Sequence, residues 1–435
     1  MRIVLILIIF LTTLSLIADT KKTADSYFEQ MQMGNYAKCI EMSDQNMQKN
    51  LPVDKLKEVW ESLPNQLGKL IGVLDYSMVT QGEYEIHIYV LNFDKMVMDM
   101  KITVDKENKI SGLFYTMSKT PKPGTALKLP DYLDKEKAVE KDVSFDCEKM
   151  MINGKLTTPI GYENYPLVLM LTGSGPNDMD ETIAQRKPFR DLAIGLANKG
   201  IATLRWNKRT LDYPQIGNRI DFSPRDEYII ELNAALRWMK DNNMNNSNFV
   251  LGHSMGAFML PQIAQENDKI KGFIMLAGNA RPLEDLVAAQ YEYIFGLHPM
   301  TSQIEAELAK IKKQSAEIKE LTAETEVTEP LLLGIPKAYW LWMNYYKQTE
   351  VLGKTDSPFM ILQGEKDYQV TMEDFSIWES VAEGRPNIVT KSYPILDHLF
   401  MPCSGDSTPD SYLNPSFVSK KVIEDIAEWI TSTDK

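Results

Sequence analysis

The sequence predicts an α/β fold: a doubly wound, mostly parallel sheet with a helical cap, preceded by a small α+β domain. Beyond residue 142, short apolar runs alternate with helical stretches, and a long helical segment interrupts this alternation late in the chain. Strands buried on both faces of a parallel sheet are continuously apolar, and alternating strands and helices build such sheets. The 435 residues suit one large domain and one smaller domain.

The composition is that of a globular protein, with 44% hydrophobic and 25% charged residues. The net charge is −13 and no tract is rich in lysine or arginine, so we expect neither nucleic acid nor an anionic membrane surface as a partner. Cys39, Cys147 and Cys403 form no C-x-x-C pair, which favours free thiols over a disulfide framework. No cluster of ligand residues indicates a metal, and no cofactor is expected. The oligomeric state stays open.

The first residues have the composition of a secretory signal peptide. Residues 3–17 are almost entirely apolar and follow Met1-Arg2, and Ala18 marks a cleavage position. An uncleaved anchor is the alternative, but the run is short of the roughly 20 residues that span a bilayer. We therefore predict a signal peptide at residues 1–18, a secreted or periplasmic protein, and no membrane span after cleavage.

Residues 22–118 are predicted to form the small α+β domain, whose function the sequence does not indicate. Helical stretches at 24–42 and 53–63 precede strands at 84–90, 96–104 and 110–115. In the first strand, the period of two predicts that Ile86 and Ile88 face the core and that His87 is exposed to solvent. Residues 119–141 are predicted to be a linker, because 119–134 carry three prolines and a glycine.

The larger domain is predicted to span residues 142–435. Its predicted strands lie at 166–171, 201–204, 249–251, 273–276 and 359–362, with helices at 188–198 and 224–240 among those between them. Residues 281–354 form the long helical insertion, which we interpret as a cap over the site. Its stretch KAYWLWMNYY (337–346) is dense in aromatic residues, which could line the site or form the core of the cap.

An abrupt corner marks the candidate site. The buried strand at 249–251 runs directly into GHSMG (252–256) and a helix follows at once. A residue at such a corner is strained, and side chains two positions before and after it would collide, so both positions need glycine. This G-x-S-x-G pattern between strand and helix predicts Ser254 as a nucleophile.

A serine hydroxyl needs a base to accept its proton. His253 adjoins the serine and must point away from it, while His87 lies in the other domain and His298 in the cap. His398, which follows the last predicted strand, is therefore the predicted base.

The base needs a carboxylate to orient it. Asp367, just past a buried strand, is the predicted acid, with Glu365 as the nearest competitor; Asp397 is a poor one because adjacent side chains diverge. The developing oxyanion needs two donors. The backbone N–H of Met255 comes with the corner, and the N–H of Ser174, in the Gly173-Ser174-Gly175 turn after the first central strand, is the predicted second donor.

These motifs, in order, resemble those of a known family. GHSMG, the loop GSGPNDMDET, the segment PFRDLAIGLANKGIATLRW, LQGEKDYQV and DHLF together resemble α/β-hydrolases of the serine esterase and peptidase type. With the leading domain, nearly the whole mature chain resembles bacterial secreted esterases that carry a small domain of unknown function before the catalytic one. The resemblance implies the α/β-hydrolase fold for residues 142–435 and no cofactor.

The function predicted is that of a secreted serine hydrolase that cleaves small carboxylic esters with short acyl chains. A serine aminopeptidase or thioesterase on the same triad is the alternative within enzymes. A peptidase would need an acidic group in the cap to hold a free amine, for which Glu284, Asp285 and Glu292 are candidates. A catalytically inactive binding protein is the alternative from another class.

Overall fold

A computed structural model of the protein describes residues 20–120, 122–124, 128–244 and 247–435, and the chain divides between residues 127 and 128 into two compact units. The predicted signal peptide lies outside the described residues. No described helix is both long enough and apolar enough to span a membrane.

The first unit packs helices on one face of an antiparallel sheet. Its helices are α1 (20–32), α2 (Tyr36–Met42), α3 (Gln45–Asn50) and α4 (Val53–Leu67). Its strands, in sheet order, are β1 (Leu70–Gln81), β2 (Tyr84–Phe93), β3 (Val97–Val104) and β4 (Ile110–Met117). The small α+β domain is thus confirmed, although the sequence analysis missed β1.

The predicted orientation of β2 is wrong. His87 is fully buried, its Nδ1 lies 2.7 Å from the hydroxyl of Tyr76, and Ile86 and Ile88 on the opposite face are only half-buried. His87 shares its face with Tyr89, Leu91 and Phe93, which pack against the helices. That larger apolar surface decides the orientation, and burial lowers the pKa of His87.

The second unit contains an eight-stranded sheet in the order β12-β11-β10-β9-β7-β8-β6-β5. Strands β7 to β12 pair in parallel, while β5 and β6 are antiparallel to their neighbours. The strands are β5 (Ala138–Cys147), β6 (Met150–Pro159), β7 (Leu167–Leu171), β8 (Ala202–Trp206), β9 (Asn248–His253), β10 (Gly272–Leu276), β11 (Phe359–Gly364) and β12 (Ile388–Tyr393). The predicted doubly wound, mostly parallel sheet is confirmed. However, β5 begins inside the predicted linker at 119–141.

Helices cover both faces of this sheet. They are α5 (Pro188–Ala197), α6 (Arg209–Asp212), α7 (Ile230–Asp241), α8 (Met255–Phe258), α9 (Leu260–Glu266), α10 (Leu283–Gly296), α11 (Ser302–Lys319), α12 (Lys337–Tyr345), α13 (Gln348–Leu352), α14 (Met372–Ala382) and α15 (Lys420–Thr433). Consecutive residues of one strand enter different cores: Leu169 and Val250 pack on one side of the sheet, Met170 and Leu251 on the other. This two-sided burial explains why the strands are apolar throughout.

Two features of the helices bear on the site. The cap consists of α10 to α13, between β10 and β11. The helix predicted at 224–240 begins with a π-helical turn, Arg225–Ile229, before α7. Such turns are rare and occur often at functional sites.

Candidate active site

Ser254 lies at a strained corner between β9 and α8. Its φ of 52° and ψ of −117° are rare for a residue with a side chain. A Cβ at Gly252 would lie 2.4 Å from the Gly256 carbonyl oxygen, and one at Gly256 would lie 2.3 Å from that of Leu171. Both glycines are therefore required where they stand, as the sequence pattern predicts.

Asp367 and His398 form a buried pair at the carboxyl ends of β11 and β12. His398 Nδ1 lies 2.6 Å from Asp367 Oδ2. The carboxylate also accepts hydrogen bonds from the N–H groups of Gln369 (2.7 Å) and Val370 (3.0 Å) and from Gln363 Nε2 (3.1 Å). With Nδ1 engaged, His398 has Nε2 left to exchange a proton.

The two competing carboxylates lie elsewhere. Glu365 is exposed and accepts a hydrogen bond from the Ser392 hydroxyl. Asp397 is buried, forms an ion pair with Arg186 at 2.5 Å, and accepts hydrogen bonds from two N–H groups of its own turn. Asp397 therefore shapes the turn that carries His398.

His253, which directly precedes the nucleophile in sequence, contacts His398. The two imidazole rings lie 4.6 Å apart, and His253 Nε2 lies 2.8 Å from the His398 carbonyl oxygen. Among the described residues, the Ser254 hydroxyl makes no hydrogen bond. Such bonds are often formed only when substrate binds.

The other nitrogen of His253, Nδ1, lies 2.9 Å from Glu181 Oε1. Since both ring nitrogens face acceptors, both carry protons when Glu181 is ionised. Burial alone would lower the pKa of His253, but the charge of Glu181 and hydrogen bonds to Glu181 and the His398 carbonyl together raise it. The sequence analysis placed this side chain away from Ser254 but did not predict its role.

Two backbone N–H groups beside Ser254 have no hydrogen-bond partner among the described residues: those of Ser174 and Met255. All three residues line one cavity of about 450 Å³. The structure therefore brings together the predicted nucleophile and both predicted oxyanion donors. We call Ser174, Ser254 and Met255 the floor of the cavity.

One face of α10 covers the cavity. Leu283, Leu286 and Val287 line it and are called the roof below. Glu227 is the carboxylate of the lining; its oxygens accept hydrogen bonds from Lys208 Nζ (2.7 Å) and the Tyr339 hydroxyl (2.9 Å).

The aromatic stretch of the cap belongs mostly to the core. Tyr339 lines the cavity, but Trp340 is fully buried in the cap and Tyr345 is 78% exposed. Trp342 packs against Tyr346, whose hydroxyl donates to the Phe258 carbonyl. Of the two uses that the sequence left open, core packing applies to most of this stretch.

The acidic candidates for binding an amine do not line the cavity. Asp285 pairs with Lys319 and Glu292 with Lys312. Glu284 is buried, which raises its pKa. No group of three or more His, Cys, Asp or Glu side chains within the described ranges could hold a metal ion.

Fold and site together define the class: an α/β-hydrolase with a serine elbow at the carboxyl edge of its sheet. A family model described as serine aminopeptidase, S33, matches residues 185–399, and one described as a protein of unknown function (DUF3887) matches residues 24–113. The chain is 33% identical to esterase EstD of Thermotoga maritima over 396 residues, 91% of this chain and 92% of that protein.

Solved structures include similar chains. Est1E from Butyrivibrio proteoclasticus has a TM-score of 0.44 at 16% identity and covers 67% of this chain and 98% of its own. The esterase domain of a Rhodothermus marinus protein has a TM-score of 0.41 at 14% identity, covering 67% and 97%. The relation to esterase EstD shows the family: the chain belongs to the S33 serine aminopeptidase-like α/β-hydrolases and is a hydrolase of the esterase type.

Proposed function

We propose that the protein hydrolyses small carboxylic esters through an acyl-enzyme on Ser254. The observation that carries this proposal is the lining of one cavity, where a strained serine lies beside two N–H groups that have no hydrogen-bond partner in the described part of the chain. The His398–Asp367 pair contacts His253, the residue before that serine. The esterase named among its relatives, similar over 91% of the chain, supports the same reaction.

In the proposed mechanism, His398 Nε2 accepts the proton of the Ser254 hydroxyl as its oxygen attacks the acyl carbon. Asp367 holds His398 Nδ1–H and stabilises the imidazolium. The N–H groups of Ser174 and Met255 stabilise the oxyanion, each such donor contributing about 3 kcal/mol to lowering the barrier. His398 then protonates the leaving alcohol, and water releases the acid by the same steps.

The residues of the roof favour esters with a short acyl chain as substrates. Leu283, Leu286 and Val287 offer an apolar wall to the acyl group, and about 450 Å³ limits its length. We infer that kcat/KM is highest for short acyl esters and falls for longer ones.

A serine aminopeptidase is the second candidate because of the matching family description. Binding a free amine would require an unpaired carboxylate, whereas Glu227 in the cavity is paired with Lys208 and Tyr339. This pairing favours an ester over an aminoacyl substrate. A thioester could use the same groups, and an inactive binding protein would not need the strain at Ser254.

Labelling with a fluorophosphonate, followed by peptide mass analysis, tests the nucleophile. We expect a single adduct on Ser254, with no adduct in Ser254→Ala and a turnover lower by about 10⁶-fold. A panel of acyl esters, thioesters and aminoacyl amides tests the substrate class. Adduct formation at another residue, or turnover confined to aminoacyl amides, would contradict the proposal.

We also propose that the protein is exported, on the strength of the apolar segment at residues 3–17. Amino-terminal sequencing of the protein recovered from culture medium or periplasm should give a chain that begins near residue 19. A chain that keeps residues 1–18 would argue against cleavage.

A further inference from the structure

Gly173 is held at both ends of its backbone by buried charged groups. Its carbonyl oxygen accepts hydrogen bonds from Lys208 Nζ (2.5 Å), the Tyr228 hydroxyl (3.1 Å) and Asn177 Nδ2 (3.1 Å). Its N–H donates to Glu181 Oε1 at 2.5 Å. Gly173 follows β7 closely and directly precedes Ser174, one of the two proposed oxyanion donors.

The position of the Gly173 oxygen determines the direction of the Ser174 N–H. Both belong to one planar peptide group, which is trans, so the C=O and the N–H point in opposite directions. Three donors that fix the oxygen on one side therefore fix the N–H on the other. The donor would otherwise depend on a glycine-flanked loop, which has wide backbone freedom.

Lys208 is in an environment that stability alone does not explain. It is 2% exposed, and its ammonium group donates to Gly173, to Glu227 Oε1 and to the Tyr228 hydroxyl (2.8 Å). Burying such an ion pair costs desolvation energy that apolar residues of similar volume would avoid. The arrangement does, however, place a positive charge against the Gly173 carbonyl, which polarises the peptide and strengthens its N–H as a donor.

We propose that Lys208 and Tyr228 are positioning residues that orient and polarise the Gly173–Ser174 peptide for the oxyanion. The proposal rests on the proposed function, since it assigns a role to the same oxyanion site. Glu227 completes the cluster, because it pairs with Lys208 and accepts a hydrogen bond from Tyr339 in the cap.

Tyr228→Phe tests this proposal, because it removes one donor to the Gly173 oxygen and leaves the ring. Tyr346→Phe is the matched control: that hydroxyl also donates to a backbone carbonyl at 3.1 Å, but outside the cavity lining. We expect kcat of Tyr228→Phe to fall about tenfold, less than the loss of a whole oxyanion donor, with KM within about twofold. The control should keep its activity, and both variants should lose similar thermal stability.

A trifluoromethyl ketone inhibitor provides the specific readout, because its adduct with Ser254 places an oxyanion between the two donors. Its inhibition constant should rise in Tyr228→Phe by about the same factor as kcat/KM falls. Adding Asn177→Ala, which removes a second donor to Gly173, should enlarge both effects.

Unchanged kcat and inhibitor affinity in Tyr228→Phe would overturn the proposal, as would equal losses in Tyr346→Phe or an effect confined to KM. Fluorophosphonate labelling of the wild type separates this failure from that of the proposed function. If Ser254 is labelled, only the positioning role is overturned; if it is not, both are.

Discussion

The floor and the roof of the cavity are built in different ways. The floor depends on backbone contacts at the elbow, where an added methyl group at Gly252 or Gly256 would lie within 2.4 Å of a carbonyl oxygen. The roof is made of aliphatic side chains on one face of α10, which can change size with only local adjustment. We therefore expect changes in the floor to disrupt the proposed chemistry, and changes in the roof to alter the choice of substrate.

The largest effect is expected on turnover, from a change at Asp367. Asp367→Asn should lower kcat by about 10⁴-fold, because the amide cannot stabilise the imidazolium or select its tautomer. Glu365→Gln is the control, since Glu365 is exposed and bonded to Ser392. Single-turnover assays on both variants measure the difference. Equal losses would mean that the acid is not Asp367.

The next largest effect is expected on stability, from a change at Gly256 in the elbow. Gly256→Ala should destabilise the protein by about 3 kcal/mol or more, because its Cβ would meet the Leu171 carbonyl oxygen at 2.3 Å. Gly296→Ala, at the end of α10 in the cap, meets no atom within 4 Å and should be tolerated. Urea unfolding compares the two, and a tolerated Gly256→Ala would refute the rigid floor.

Changes in the roof should be smaller and should alter selectivity. Leu286→Ala should raise kcat/KM for longer acyl esters relative to short ones by about three- to tenfold, because it enlarges the acyl site. Ile318→Ala, buried in the cap outside the lining, should lower the melting temperature and leave the chain-length profile unchanged. A shifted profile in Ile318→Ala alone would show that the roof does not select the acyl chain.

The smallest effect is expected in the pH dependence of stability, through the His253–Glu181 pair. The pKa of His253 is raised above its ordinary 6.5. Its pairing with Glu181 therefore stabilises the fold fully below pH 6.5, and this contribution is lost as the pH rises through the raised value. Urea midpoints of wild type and His253→Gln between pH 6 and 9 should converge at high pH. A constant difference would mean that His253 does not titrate there. The pKa of His87 is lowered, so its burial has the opposite effect: the stability of the fold decreases as the pH falls below 6.5.

The floor could be predicted from sequence because its constraint is local. Ser254 and its two glycines are explained by five consecutive residues, and His398 follows by elimination among four histidines. Residues that support the floor were missed because the contacts between Glu181 and His253 and between Lys208 and Gly173 join residues that are distant in sequence. Charges directly after buried strands, such as Lys208 after β8, are the signal that could have indicated them.

The roof could not be predicted in the same way. The aromatic stretch at 337–346 is apolar on several sides of its helix, so its composition does not say which side faces the cavity. The actual lining, from α10, depends on how four cap helices pack. The prediction of which face of β2 is buried was wrong for a related reason. Its apolar residues lie on both faces, and only the packing of the helices against one face decides which face is buried.

The free cysteines give each unit its own indicator of unfolding. Cys39 is buried in the first unit and Cys147 in the second, where burial raises the pKa of the thiols to about 11 and about 12. Thiolate chemistry is therefore suppressed at both until the surrounding core opens. The rates at which these two thiols are alkylated under native conditions thus report the opening of each unit separately, and no cysteine has to be introduced.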